Sequence, residues 1–144
     1  MAVWGNDVTS EEKWKNRQPF SQRMFGMAAN GNQAAYNYLM ILFEAVSITD
    51  DLQDKDVESA PNALAKLFML FSALLANPFC RANGEALSSL MTTGAVAWDV
   101  SNKIEGATDY AKRIEQVVFY VALVCGGYQL AHDVAQVWIT ESKD

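Results

Sequence analysis

One histidine, two cysteines and a shortage of basic residues remove several function classes before any motif is sought. His132 alone cannot supply the several imidazoles of a histidine–aspartate phosphohydrolase centre, and no cysteine–histidine spacing suits zinc. Cys80 and Cys125 lie far apart in apolar settings, as expected of free thiols in a reducing compartment. Eleven Lys and Arg against 17 Asp and Glu leave a net charge of −6, which disfavours binding to nucleic-acid phosphates. Phosphate-cradling Gly-Lys-Ser/Thr loops, dinucleotide-binding glycine patterns and Gly-x-Ser-x-Gly elbows are all missing. The N-terminus carries Asp7, Glu11, Glu12, Lys13 and Lys15 with no apolar run, so no secretory leader is expected. The most apolar windows, 67–76 and 117–125, are shorter than the ~20 residues of a membrane span. A cytoplasmic protein without a membrane partner is therefore expected.

What the chain has in quantity is apolar surface. Hydrophobic residues make up 51% of 144 positions and charged residues 19%, enough for a real core and an argument against disorder. That excess also suits self-association, so a homodimer is expected, while the acidic surface suits a basic protein partner.

The periodicity is helical, and period-2 runs are scarce. Thr9 and Glu12 have capping-box spacing and open a short helix to about residue 18, which Pro19 ends or follows with another. Phe20, Met24, Phe25 and Met27 form an apolar patch ahead of the Asn30-Gly31-Asn32 turn. A long helix over 33–56 carries the stripe Tyr38, Ile41, Leu42, Ala45, Ile48 and Leu52. The helix over 62–76 is apolar almost all round except Lys66, which predicts a central position, and Asn77-Pro78 stops it. Further helices are expected over 83–105, ending at Gly106, and from Thr108-Asp109 to about 140, where Gly126-Gly127 permits a kink or close approach. The result is one all-α domain: an N-terminal arm over 1–31 and a four-helix bundle over 32–144.

Charge is concentrated in one place. Asp50, Asp51, Asp54, Asp56 and Glu58 put five carboxylates into nine residues. Such groups repel one another unless water, a cation or a metal compensates. A calcium loop starting at Asp54 fails, because Ser59 replaces the turn glycine and Ala65 the bidentate glutamate. Helical spacing places Glu44, Ile48, Asp51 and Lys55 on one line and Asp54 one turn from Asp50 and Asp51. The candidate metal ligands are thus Asp51 and Asp54, supported by Asp50 and by Glu105 from another helix, with Mg²⁺ as the implied cofactor. Trp98, Asn102 and Glu105 share a helical face, which makes Trp98 and Asn102 candidate ligand-binding residues. Tyr128 and His132 form an i,i+4 pair, and His132 reads as structural.

Asp50-Asp51-Leu52-Gln53-Asp54 resembles the Asp-Asp-x-x-Asp motif of class I isoprenoid synthases, which implies Mg²⁺ and a diphosphate. Ser101 and Glu105 match the last two positions of that family's second metal motif, whereas Ala97 occupies the first. The acidic helix is also similar to all-α nucleotide pyrophosphohydrolases, without their paired acidic elements. Over 38–138, the acidic run at 50–56, Asn77-Pro78-Phe79, Trp98…Asn102…Glu105 and Gly126-Gly127 resemble a set of small helical tailed-bacteriophage proteins, which implies no activity. Two functions remain open: a Mg²⁺-binding acidic pocket acting on a phosphate-containing small molecule, or a non-catalytic acidic binding protein, either an inhibitor or adaptor of a host protein or a virion component. No catalytic base or nucleophile is identifiable.

Overall fold

The computed structural model describes residues 10–53, 62–104 and 115–141, with side chains described from residue 19 onward. Among the described residues the chain is all-α: α1 Ser10–Ala29, α2 Gln33–Gln53, α3 Ala63–Ala76, α4 Pro78–Ala82, α5 Gly84–Ser101 and α6 Glu115–Glu141.

α1 continues through Pro19 where a break is expected. An internal proline costs about 3 kcal/mol, and burial downstream offsets it. Met24, Phe25 and Ala28 are fully buried, wedged where α1 packs on both α2 and α6. Asn30 and Gly31 then turn the chain with positive φ of 50° and 88°. Asn32 caps α2, its Oδ1 accepting from the Ala35 amide at 3.0 Å.

α2 buries the stripe expected of it. Tyr38, Leu42, Ala45 and Ile48 are buried, and Ile41 and Leu52 partly so. Tyr38, Leu39 and Leu42 join Val118, Val121, Ala122 and Val134 of α6 in the main core. Ala45 and Ile48 pack instead on Ala63 and Leu67 of α3, forming a smaller second core.

The central position expected of α3 is overturned. Ala63, Leu67 and Leu74 are buried, but Leu64, Phe68, Met69 and Leu75 are each about 70% exposed or more and Phe71 is 49% exposed. The physical reason is the number of layers. α3 packs on α2 and α4, and among the described residues no further layer covers its outer side. Lys66 reaches back to Glu44 of α2 at 2.8 Å.

Asn77 ends α3 and begins α4, a helix of one turn and a half that the sequence reading leaves as a stop. With Pro78 at the first helical position, Asn77 Oδ1 accepts from the Cys80 amide at 2.9 Å. Its Nδ2 donates to the Ala34 carbonyl of α2 at 2.9 Å, and the residue is buried. One amide therefore caps one helix and fastens it to another.

α5 ends at Ser101, four residues short of the expected Glu105. Ser101 Oγ donates to the Trp98 carbonyl at 2.9 Å, and the Asn102 amide donates to the carbonyls of Trp98 and Val100. Beyond it the Lys103 and Ile104 amides donate three residues back, to the carbonyls of Val100 and Ser101 at 3.0 and 3.4 Å, and this tighter turn ends the α-helix.

α6 contains the break that Gly126-Gly127 permits. Gly127 has φ 88° and ψ −175° inside the helix, a region open in practice to glycine alone. A Cβ on Gly126 would collide with the Leu130 side chain, so close packing also fixes that glycine. The Cys125 carbonyl, two residues before the break, accepts from Asn30 Nδ2 at 3.1 Å. The expectation of no span-length segment needs correction here. By length and composition α6 alone among the described helices would reach across a membrane, with 28% of its most apolar window buried. The break divides it into limbs 115–126 and 128–141, roughly 18 and 21 Å long at ~1.5 Å per residue, against a hydrocarbon core of ~30 Å.

The double role of Asn77 sets a measurable cost. Asn77→Ala loses a cap and the hydrogen bond to the Ala34 carbonyl, which together should lower stability by about 2 kcal/mol in urea denaturation. Asn77→Asp keeps the cap acceptor but not the donor to Ala34, and should also destabilise the fold.

Candidate functional site

A cavity of about 350 Å³ opens between α2, α3 and α5. Leu42, Ala45, Val46 and Thr49 supply its α2 wall, and Phe71 and Leu74 its α3 wall. Leu90, Met91, Gly94, Ala97 and Trp98 line it from α5, and Gln116 and Val117 close one end from α6. The space exists because α5 is thinly packed: Leu87 is its one fully buried residue. The side chains at 94, 95 and 97 are also too small to fill the gap. None of the described side chains lining it is titratable.

Trp98 is the residue that makes this more than a packing defect. Its ring lines the cavity, while its indole Nε1 is buried with no hydrogen-bond partner among the described residues. A buried donor left unpaired costs about 1–3 kcal/mol, and an occupant carrying an acceptor would remove that cost. Tyr38 stands close by, its hydroxyl donating to Met91 Sδ of α5 at 3.5 Å.

The sequence-derived site residues fare unequally. Asp50 and Asp51 are 4% and 2% exposed in the last turn of α2, and neither is without a partner. Glu44, on the same helical line as Asp51, is engaged by Lys66. Asp54 and Glu105, together with Lys55, Asp56 and Glu58, lie outside the described residues. Among the described residues no three metal-capable side chains come together. Asn102 is exposed at the end of α5 and does not line the cavity that Trp98 lines. Thr49, the residue before Asp50, does line it. The C-terminal ends of α2 and α5 therefore border one space.

The remaining reactive groups sit elsewhere. His132 is exposed, with Nδ1 3.6 Å from Asp133 Oδ1, and its ring lies 6.3 Å from that of Tyr128. Cys80 and Cys125 are free and partly buried. Burial pushes both thiols up, which makes them poor nucleophiles. The cavity itself was missed in the sequence reading. The short run Gly94-Ala95-Val96-Ala97 ahead of Trp98 is the signal that could have pointed to it.

Burial, and secondarily the neighbouring Cys80, holds the Tyr38 phenol well above its ordinary value near 10. The unfolded chain ionises this group first, so its contribution is intact below pH ~10 and is lost as pH rises further. Tyr38→Phe should leave stability at neutral pH within about 1 kcal/mol. It should also remove about 1.4 kcal/mol per pH unit of the alkaline decline seen above pH ~10 in denaturant titrations.

No protein-family model, curated protein or solved structure matches this chain.

Proposed function

We propose that this is a non-catalytic binding protein, an adaptor or inhibitor type of module, whose recognition site is the cavity beneath Trp98. One observation carries the reading: an apolar cavity of about 350 Å³ lined by Trp98, whose indole Nε1 is buried and has no hydrogen-bond partner among the described residues. That volume falls in the range of ligand pockets, which pair apolar walls with few polar anchors. The described lining offers shape and apolar contact, with no titratable side chain among the described residues. Its occupant is an aromatic or branched apolar side chain of a protein partner, with a hydrogen-bond acceptor at its edge. The acidic balance of the chain suits a basic surface around that anchor. A phage-type protein acting in the host cytoplasm fits this role.

Acetophenone, an aromatic ring with a carbonyl acceptor, is a suitable probe. Titrated against the labelled protein, it should shift the indole N–H resonance assigned to Trp98 by its loss in Trp98→Phe. Ala97→Phe, which fills the cavity, should abolish the shift. A Trp98 resonance indifferent to the probe, or one that moves equally in Ala97→Phe, would overturn this reading.

A second reading has its own observation, the burial of the adjacent Asp50 and Asp51 where the helix dipole disfavours negative charge. On it, Asp50 and Asp51 bind Mg²⁺ with Asp54 and Glu105, and the site takes a phosphate-containing small molecule. Mg²⁺ at 100 times its Kd should then raise stability by about 2.7 kcal/mol, and Asp51→Asn should erase the gain. An unchanged melting temperature at millimolar Mg²⁺ and Mn²⁺ would exclude it.

A further inference from the structure

We propose that α3 is a self-association surface, through which two copies of this chain pair with their α3 helices antiparallel about a two-fold axis. The inference goes beyond the cavity reading and does not rest on it.

The exposed apolar residues of α3 fall into a pattern. Leu64, Phe68, Phe71 and Leu75 are spaced four, three and four, the d-a-d-a spacing of a helix–helix seam. All four are exposed, at 69%, 76%, 49% and 76%. This seam is separate from the buried stripe Ala63, Leu67 and Leu74 that holds α3 to α2. The helix therefore has two apolar faces, of which the described residues cover one.

The residue types along the seam identify the occupant. Read from either end they are Leu, Phe, Phe, Leu, at the same spacing in both directions. A two-fold axis between Met69 and Leu70 sets Leu64 opposite Leu75 of the second copy and Phe68 opposite Phe71. Each aromatic then meets an aromatic and each leucine a leucine, the self-complementarity an isologous contact requires. A seam built for an unrelated partner has no need of that symmetry.

Area and charge agree. The four seam side chains expose on the order of 550 Å², the upper end of the ~300–600 Å² of a typical monomer's largest patch. α3 contains no acidic residue, so two copies can approach along it although each chain carries a net charge of −6. A lipid surface fits less well. Interfacial helices flank their apolar face with Lys and Arg, whereas the one cation of α3, Lys66, is turned to Glu44.

The test uses the full chain. Sedimentation from micromolar to hundreds of micromolar should give twice the chain mass, falling to one chain mass in Leu64→Lys/Leu75→Lys. Both positions lie at the ends of the seam and outside the cavity lining, so Trp98 should keep its response to acetophenone if the cavity reading holds. Helix orientation is read by cysteine cross-linking in a Cys80→Ser/Cys125→Ser background. An oxidised mixture of Leu64→Cys and Leu75→Cys chains should give covalent dimers, whereas Leu64→Cys alone should not. This arm also decides the matter should the lysine variant fail to fold. Three results would overturn the proposal: a single chain mass throughout, cross-linking of Leu64→Cys to itself, or a monomer that floats with phosphatidylcholine–phosphatidylglycerol vesicles and loses this in the lysine variant.

Discussion

The wedge of Met24, Phe25 and Ala28 between α2 and α6 is the contact on which the other helices depend. It brings the two long helices together through a third, so Tyr38, Leu39 and Leu42 meet Val118, Val121 and Val134 around it. At ~1.5–3 kcal/mol for each large apolar side chain buried, this cluster supplies most of the driving force that a chain of this size can muster. The turn at 30–32 holds the geometry, with left-handed residues for the reversal and Asn32 to start α2. α4 is then held onto the α2 end of that assembly by Asn77, by Phe79 in the core and by the Tyr38–Phe79 ring contact.

Away from the wedge the packing thins, and the thinning has a direction. α3 and α5 each give one face to the assembly and leave the rest outside, and the cavity lies where they diverge. Phe71 belongs to both features: it lines the cavity and sits in the exposed seam. Recognition and assembly, if they use these surfaces, thus share a side chain. An occupant that moves Phe71 would also alter the seam, which gives the two events a physical route to influence one another.

Periodicity made the buried stripe of α2 legible, because Tyr38, Leu42, Ala45 and Ile48 alternate with residues that can face water. The glycine pair at 126–127 was legible for the same kind of local reason, since few sequences tolerate two adjacent glycines within a helix without a bend. The placement of α3 was not. A helix apolar on all sides states that it must be covered, and the natural reading is that its own chain covers it. α1 continues past Pro19 because tertiary burial outweighs a local penalty, and α5 stops at Ser101 as the backbone tightens into bonds three residues apart. Of the expected site residues, Trp98 lines the cavity, whereas Asp50 and Asp51 lie beside it and not in its wall. The cavity was not legible, because it arises from side chains too small to touch across it.

The bend at Gly127 gives α6 two helix ends in its middle as well as two at its extremities. The carbonyl end of the first limb meets the Asn30 side chain, so the turn joining α1 to α2 also serves as the cap of a helix nearly a hundred residues away in sequence. Turn and bend are thus one joint. A chain that lengthened the loop at 30–32 would withdraw that amide, and the angle between the limbs of α6 would be free to change. Loop length, usually the most forgiving variable in a helical protein, is here tied to the shape of its longest helix.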